Sequence, residues 1–287
     1  MPARPAASPR IGPPIDASRR QTLRRGLLAT LGARGLGGLG AVGVLGAPSA
    51  RAQSASGTAP PEDDSQARLM VQRADEIRFP RDAFQVDVRV TSTSGGQTQD
   101  PRRYRILSKG NDNTIILTLE PTAEKGQNLL MKGRELWVFM PSVSQPVRLS
   151  LSQRLTGQVA NGDLARANFS GDYLATLKGQ ETIGGREHHV LELAAGERSV
   201  TYPRILYWVR AGDFHPQRAE FHSLSGKLLK TCRYEQFATL GGRVRPTRLV
   251  MTDALKRGDE SILDYSDLKA VELPDRMFSK EYLKKLD

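Results

Sequence analysis

The sequence predicts a mainly β (α+β) fold, with one antiparallel sheet in a single domain and short helices near both ends of that domain. After Pro80 the apolar residues recur with a period of two, which is typical of strands. Turn residues rich in glycine separate these segments, and none of the segments between them has the length and period of a long helix. We therefore expect the strands to follow one another as an antiparallel meander.

The first 52 residues differ from the rest of the chain in charge. They hold eight arginines, no lysine and one acid, a net charge of +7, whereas the remaining residues carry 34 bases and 30 acids. Most of the positive charge is therefore N-terminal. The well-mixed charges elsewhere indicate a solvated surface, and we expect no nucleic acid as a partner.

This N-terminal segment has the pattern of an export signal. A basic start is followed by a weakly apolar run at 26–47 and by Ala50-Arg51-Ala52, an A-x-A cleavage site. Residues 18–24 resemble a twin-arginine signal. The glycines at 35–40 fit G-x-G-x-x-G, but they lie inside the apolar run with no strand before them, so we expect no nucleotide site.

Three regions follow from this pattern. We expect residues 1–52 to be an export signal that is cleaved after Ala52, residues 53–66 to be a flexible leader, and residues 67–287 to form the folded domain. The mature protein is then periplasmic. The alternative is an N-terminal membrane anchor that stays in place.

A helix is predicted at the start of the folded domain. Apolar residues recur at helical spacing from Ala67 to Ile77. Asp63 or Asp64 is a suitable N-cap, and Pro80 ends the helix. A second helical segment is predicted in the tail after Pro274.

The predicted strands fill the region between these helices. They are 83–90, 113–120, 128–132, 135–140, 173–181, 186–193, 204–210, 216–224, 227–238, 243–254 and 260–271. Gly184 and Gly185 are typical of a hairpin turn. Residues 151–173 lack the period of two, and an irregular segment of that length is usually functional. The alternative is a surface loop that closes one end of the sheet.

Two of these strands, 136–140 and 205–209, are apolar on both faces. A strand in an antiparallel sheet normally keeps one face in water, so both strands need cover on two sides. Either the sheet curls around a ligand or a lid, or a few central strands are buried beneath helix and loop. The residues alone leave both explanations open.

Motifs for catalysis or metal binding are missing from the sequence. His188 and His189 are adjacent on a predicted strand and therefore point to opposite faces. Cys232 is the single cysteine, and neither HExxH nor GxSxG occurs. Asp163 and Asp172 could form a carboxylate pair, although turn capping explains both. We therefore expect a binding protein, not an enzyme, without a cofactor or metal.

A family resemblance is carried by residues 135–185. This segment holds a W-x-F-x-P strand, R-L-S after it, G-D-L, D-Y and a strand that ends in a glycine turn. In that order the motifs resemble the signature of the LolA-like superfamily, the periplasmic outer membrane lipoprotein-sorting proteins. The C-terminal segment 272–286 is also similar to the end of that family, and the likeness spans about residues 67–286.

The resemblance implies an incomplete, strongly curved antiparallel β-barrel whose concave side is plugged by short helices, with an apolar cavity beneath them for acyl chains. It implies a periplasmic carrier or chaperone that binds the acyl chains of lipoproteins or lipids and passes them towards the outer membrane, with transient membrane contact and an inner-membrane exporter as a further partner. One alternative is an accessory or adaptor protein of a membrane lipid exporter, without its own cargo. A lipid hydrolase is another.

Candidate site residues follow from the two-faced strands and the resemblance. The candidates for lining the acyl-chain cavity are Phe84, Val86, Val88, Ile115, Leu117, Leu119, Trp137, Phe139, Leu206 and Trp208. The candidates for a lid or for partner contacts are Arg148, Arg154, Asp163, Arg166 and Asp172. The sequence does not fix which face of each strand points inward, because a shift of one residue reverses every side chain.

Overall fold

One large antiparallel sheet dominates the computed structural model, which describes residues 64–166 and 168–286. The predicted export signal and residues 53–63 of the predicted leader lie outside the described residues. The predicted fold class is confirmed, because the described residues form mostly strands and a few short helices.

The helical elements lie at the start, the middle and the end of the described chain. They are α1 (Ser65–Arg78), α2 (Asn161–Ala165), α3 (Lys280–Leu283) and the 3-10 turns η1 (Thr122–Glu124) and η2 (Asp275–Met277). The strands of the first half are β1 (Phe84–Ser94), β2 (Gln97–Thr98), β3 (Arg102–Lys109), β4 (Asn113–Glu120), β5 (Asn128–Lys132), β6 (Glu135–Phe139), β7 (Val147–Leu149), β8 (Arg154–Thr156) and β9 (Val159–Ala160). The strands of the second half are β10 (Tyr173–Ile183), β11 (Arg186–Ala195), β12 (Arg204–Arg210), β13 (Pro216–His222), β14 (Leu228–Leu240), β15 (Arg243–Asp253) and β16 (Glu260–Ala270).

The sheet is a long meander that does not close. Its strand order is β10-β11-β12-β13-β14-β15-β16-β1-β3-β4-β5-β6-β7, with β2 beside β1, and the pairs are antiparallel. Within the described residues β10 and β7 are the two ends of this order, as expected for an incomplete barrel. The strands β8 and β9 form a separate hairpin in the irregular segment 151–173.

Helix α1 confirms the helix predicted before Pro80. The Asp64 carboxylate accepts hydrogen bonds from the backbone N–H groups of Gln66 (2.8 Å) and Ala67 (3.3 Å), which caps the helix. Its apolar side is buried against the sheet through Ala67, Met70, Val71 and Ala74. The helix contacts β10, β12, β13 and β15, so it covers one face of that half of the sheet. We call this face the concave face.

The strand register defines the concave face. Val86 pairs with Ile106, and Ile106 pairs with Ile116. Directly paired residues point to the same face, and these three side chains are buried in the large core beneath α1. The concave face continues through Tyr207 and Leu249, which belong to the same core.

The C-terminal segment covers part of the opposite, convex face. Leu273, Phe278 and Leu283 pack in a second cluster against Ile115 and Trp137. The Asn128 side chain donates a hydrogen bond to the Leu286 carbonyl (2.6 Å), and Lys280 Nζ lies 4.2 Å from the centre of the Trp137 ring. In the described part of the chain, no helix has the length and hydropathy to cross a membrane.

Candidate functional site

The ten candidate lining residues lie on two faces of the sheet. Phe84, Val86 and Val88 belong to the concave core beneath α1. The members of the convex cluster under the C-terminal segment are Ile115, Leu117, Trp137 and Phe139. By alternation Leu206 and Trp208 also lie on the convex face, whereas Leu119 lies at a register shift between β3 and β4, where alternation does not assign a face. Their acyl-chain role stays a prediction, but the ten residues do not surround one common space.

The interior beneath α1 is almost filled by protein side chains. One cavity between β1, β3, β4 and the segment after α2 has a volume of about 20 Å³ and includes Phe84, Val86 and Ile106 in its wall. A second, next to Arg78, has a volume of about 10 Å³. Each volume suffices for about one water molecule. An acyl chain can therefore reach the concave face only if α1 or the segment 151–173 moves.

Polar contacts hold α1 at both of its ends. At the N-terminal end the Asp64 N–H donates to the Ala175 carbonyl on β10 (2.9 Å). At the C-terminal end the buried Arg245 guanidinium donates to the carbonyls of Glu76 and Ile77, both at 2.8 Å. These carbonyls have no partner within the last helical turn, so Arg245 satisfies them as a C-cap would.

A buried ion pair lies at the C-terminal end of α1, between the helix and the sheet. Asp75 Oδ1 and Arg78 Nη1 are 3.8 Å apart, and Asp75 Oδ2 accepts hydrogen bonds from the backbone N–H groups of Phe169 (2.9 Å) and Ser170 (2.7 Å). Burial raises the pKa of the Asp75 carboxyl to about 6, although the Arg78 charge and these hydrogen bonds oppose the shift. Asp75 thus joins α1 to the segment 151–173.

The Arg78 guanidinium lies among aromatic rings. It is 4.8 Å from the centre of the Phe169 ring and 5.4 Å from that of Tyr234, distances that favour cation–π attraction. Burial raises the pKa of the Tyr207 and Tyr234 hydroxyls, so both stay neutral at ordinary pH. Arg78 therefore forms a polar centre among the aromatic side chains of the concave face.

Arg166 attaches the segment 151–173 to two turns of the sheet. Its Nη1 donates to the carbonyls of Asn111 (2.7 Å) and Gly133 (3.1 Å), and its Nε donates to the Asp172 carboxylate. The side chain of Arg166 is 6% exposed, so these contacts are shielded from water. Of the predicted lid residues, Arg166 and Asp172 therefore form one buried pair. Arg148 instead pairs with Glu135 at the surface (3.1 Å).

Asp163 connects α2 to the floor of an open cleft. Its carboxylate accepts a hydrogen bond from the Tyr202 hydroxyl (2.8 Å) and lies 3.6 Å from Lys230 Nζ. Lys230 also donates to the Gln158 carbonyl and lies 5.0 Å from the centre of the Tyr202 ring. Both carboxylates that could have formed a pair, Asp163 and Asp172, are therefore engaged with separate partners.

The cleft itself is the largest space at this end of the sheet. We call it the loop-end cleft; it has a volume of about 660 Å³. Its walls are the β8–β9 hairpin, including Arg154, and the loops before β12, after β13 and after β15. Its floor includes Val159, Tyr202 and Lys230, which also border the core. A space of this size is comparable with known ligand pockets.

The thiol and the histidines do not form a reactive group. Cys232 is fully buried on the concave face, and burial raises the pKa of its thiol to about 12. No three His, Cys, Asp or Glu side chains among the described residues are placed to hold a metal ion.

Comparison with known proteins identifies the family. A crystal structure of the LolA superfamily protein NE2245 from Nitrosomonas europaea is 57% identical, with a TM-score of 0.72, and the match covers 75% of this chain and 98% of that one. The chain belongs to the LolA superfamily. The predicted resemblance to the LolA-like proteins is thereby confirmed.

Two further structures share the LolA superfamily fold at lower identity. A DUF1329 family protein from Desulfovibrio piger is 20% identical, with a TM-score of 0.67 over 77% of this chain and 99% of that one. A protein described as an outer membrane lipoprotein-sorting protein domain, from Vibrio parahaemolyticus, is also 20% identical, with a TM-score of 0.66 over 76% of this chain and 98% of that one. A family model described as "Uncharacterized protein" matches residues 110–285. The search of curated proteins finds no match.

Sequence reasoning missed several residues that shape this LolA superfamily site. Asp75, Arg78 and Arg245 are charged residues that are buried, which no alternation pattern predicts. The sequence does contain a signal for the burial of Arg78. This residue continues the helical spacing of the apolar positions of α1 and therefore lies on the buried side of the helix. Lys230 and Tyr202 give no such signal, because tertiary contacts alone bring them beside Asp163.

Proposed function

We propose that this protein is a periplasmic carrier that binds the acyl chains of lipoproteins or lipids on the concave face of its sheet, beneath α1, and that it acts by binding and not by catalysis. The observation that carries the proposal is a continuous buried apolar face that one helix covers across four strands. Membership of the LolA superfamily supports it, since a relative with the same fold is described as a lipoprotein-sorting domain.

Ligand binding in this proposal requires α1 to move away from the sheet. The cavity next to Arg78 and the cavity beneath α2 each hold about one water, whereas an acyl chain needs several hundred cubic ångströms. The contacts to be broken are local: the Asp64 backbone bond, the Arg245 bonds to the last carbonyls, and the Asp75 bonds to the segment 151–173.

Burial of an acyl chain contributes more free energy than uncovering the apolar side chains of α1 costs. Uncovering Met70 and Val71 costs about 1.5–3 kcal/mol for each side chain. An acyl chain of about 14 carbons gains roughly 0.8 kcal/mol for each methylene that leaves water, or about 11 kcal/mol in all. The ligand can therefore displace the helix, and the cost of moving α1 keeps binding weak enough for release.

The direct experiment is titration of the mature protein with a fluorescent fatty acid. Arg245→Met removes the donors to the Glu76 and Ile77 carbonyls and weakens the closed state, so its affinity is expected to rise by about fivefold or more. Arg243→Met is the matched control, because Arg243 is exposed on the same strand. The control is expected to bind like the unaltered protein.

Native mass spectrometry of the purified protein provides the second readout. The proposal expects co-purified lipid. If folded protein carries no lipid, and neither it nor Arg245→Met binds the fatty acid, the carrier function is refuted. The alternative of an adaptor without its own cargo would then be favoured.

A further inference from the structure

Two leucines lie exposed on neighbouring turns at the loop-end cleft. Leu224, between β13 and β14, is 93% exposed, and Leu255, between β15 and β16, is 53% exposed. Both contribute to the wall of the cleft. Because Lys230 on β14 pairs with Asp253 on β15, the two turns lie side by side at the same end of the sheet.

Both turns have internal hydrogen bonds that hold the leucines outward. In the first turn the Ser223 N–H donates to the Lys227 carbonyl (2.9 Å). In the second, the Asp253 carboxylate accepts from the N–H groups of Leu255 (2.7 Å) and Lys256 (3.0 Å). The exposure of the leucines is therefore a property of well-formed turns, in which side chains of this size are otherwise uncommon.

Basic residues accompany the leucines in both turns. Lys227 follows Leu224, and Lys256 and Arg257 follow Leu255; all three are exposed. None of the three is in an ion pair with another residue that the structure describes. Arg154 adds a further exposed cation on the wall of the cleft. The two acids of the second turn are already engaged, Asp253 by the N–H groups of Leu255 and Lys256 and Asp259 by Ser94 and Gly95.

We propose that this end of the molecule docks onto an anionic lipid bilayer. We call the surface the docking rim and define it as Leu224, Lys227, Leu255, Lys256 and Arg257. The leucines enter the boundary between head groups and acyl chains, and the cations lie near the lipid phosphates, as in other proteins that bind reversibly to a bilayer surface.

The composition of the docking rim favours a bilayer over a protein partner. Protein interfaces are enriched in aromatic residues and depleted in lysine, whereas the rim contains two lysines and no aromatic residue. The rim instead combines two exposed leucines with cations that form no ion pair within residues 64–166 and 168–286. This combination complements a bilayer, which is negatively charged at its surface and apolar beneath.

The position of the docking rim gives it a role in lipid transfer, a step that rests on the proposed carrier function. A docked rim opens the loop-end cleft towards the bilayer. The floor of the cleft, at Tyr202 and Lys230, borders the concave core. An acyl chain that leaves the bilayer would thus meet the cleft before it reaches the sheet beneath α1.

The test is co-flotation of the mature protein with vesicles of phosphatidylcholine, with or without phosphatidylglycerol. We expect binding to the anionic vesicles alone, weakened by salt. The variant Leu224→Ser/Leu255→Ser is expected to lose binding by at least about tenfold, and Lys256→Gln/Arg257→Gln is expected to lose most of the preference for phosphatidylglycerol. The matched control is Val147→Ser/Val244→Ser, which alters two exposed valines outside the rim and is expected to bind normally.

The inference is overturned if the unaltered protein does not float with anionic vesicles, or if the leucine pair can be replaced without loss. Titration with the soluble fluorescent fatty acid separates this failure from that of the carrier function. The Lys256→Gln/Arg257→Gln variant, whose side chains lie outside the lining of the loop-end cleft, is expected to bind the free fatty acid normally. Vesicle binding without any fatty-acid binding would leave the docking rim in place and refute the carrier.

Discussion

Asp75 and Arg78 lie one turn apart on α1 with Oδ1 and Nη1 separated by 3.8 Å, and both side chains are buried between the helix and the sheet. An ion pair in such a place contributes little net stability when intact, but removal of one partner leaves an uncompensated buried charge. The contact that joins α1 to another segment is the Asp75 carboxylate, which also accepts hydrogen bonds from the N–H groups of Phe169 and Ser170.

The first prediction concerns this ion pair. Arg78→Met is expected to lower the free energy of unfolding by about 3 kcal/mol or more, because Asp75 loses its countercharge. The double variant Asp75→Asn/Arg78→Met should lower the free energy of unfolding by less than the sum of the two single changes, since neither charge of the pair remains buried. Urea unfolding of the three variants measures this. Strictly additive losses would show that the two side chains do not act as a pair.

The second prediction concerns pH. The pKa of Asp75 is raised from 3.8 to about 6 in the folded protein, chiefly by burial. The folded state therefore holds the proton more tightly than the unfolded chain. The stabilising contribution of Asp75 is complete below pH 3.8 and is lost as the pH rises through 6.

Comparison of Asp75→Asn with the unaltered protein isolates this effect. The stability of Asp75→Asn relative to the unaltered protein should rise between pH 4 and 7 by up to about 3 kcal/mol, since each pKa unit corresponds to about 1.4 kcal/mol. Unfolding curves across that range supply the measurement. A difference that stays constant with pH would mean that Asp75 has an ordinary pKa.

The third prediction concerns Gly157, in the turn between β8 and β9. A Cβ at this position would lie 2.1 Å from Ser92 Oγ and 2.3 Å from Ser261 Oγ, and its φ is +49°. Gly157→Ala is therefore expected to push this turn away from the sheet and to lower the free energy of unfolding by about 2–4 kcal/mol.

Gly184→Ala is the matched control for that substitution. Gly184 also has a positive φ, of +57°, but a Cβ there would meet nothing within 4 Å. The control should lose about 1 kcal/mol of the free energy of unfolding, because alanine at a positive φ strains the backbone but meets no other atom. Equal losses of thermal stability in the two variants would show that the contact with the two serines is unimportant.

The fourth prediction concerns the attachment of the segment 151–173. Arg166→Gln removes the bonds to the Asn111 and Gly133 carbonyls and is expected to speed amide hydrogen exchange across that segment. Arg148→Gln serves for comparison, because its ion pair with Glu135 is exposed and is worth about 1 kcal/mol or less. If exchange in the segment is the same in both variants, Arg166 does not hold it.

The sequence predicted the order of elements better than the direction of side chains. The spacing from Ala67 to Ile77 located α1, since an amphipathic helix and its cap are local features. Ile115 shows where the prediction of side-chain direction failed, because the sequence analysis placed it with Val86 in the lining of one cavity. The register pairs Ile106 with Ile116, so Ile116 lies on the concave face and Ile115 on the convex one.

The physical reason is that β4 is apolar on both faces. The C-terminal segment covers its convex side through Leu273 and Phe278, which are more than 150 residues away in the sequence. Alternation cannot distinguish two buried faces. Of the two strands that the sequence showed to be apolar on both faces, β6 is thus explained, because the protein's own C-terminal segment covers its convex side.

The most direct test of the central claim is mapping of the acyl-chain site with a photoreactive fatty acid. After illumination, mass spectrometry locates the cross-linked residues. We expect adducts on the concave face, at positions such as Val88, Tyr207 and Leu249, and more of them in Arg245→Met. Adducts confined to the convex cluster around Trp137, or none at all in folded protein, would contradict it.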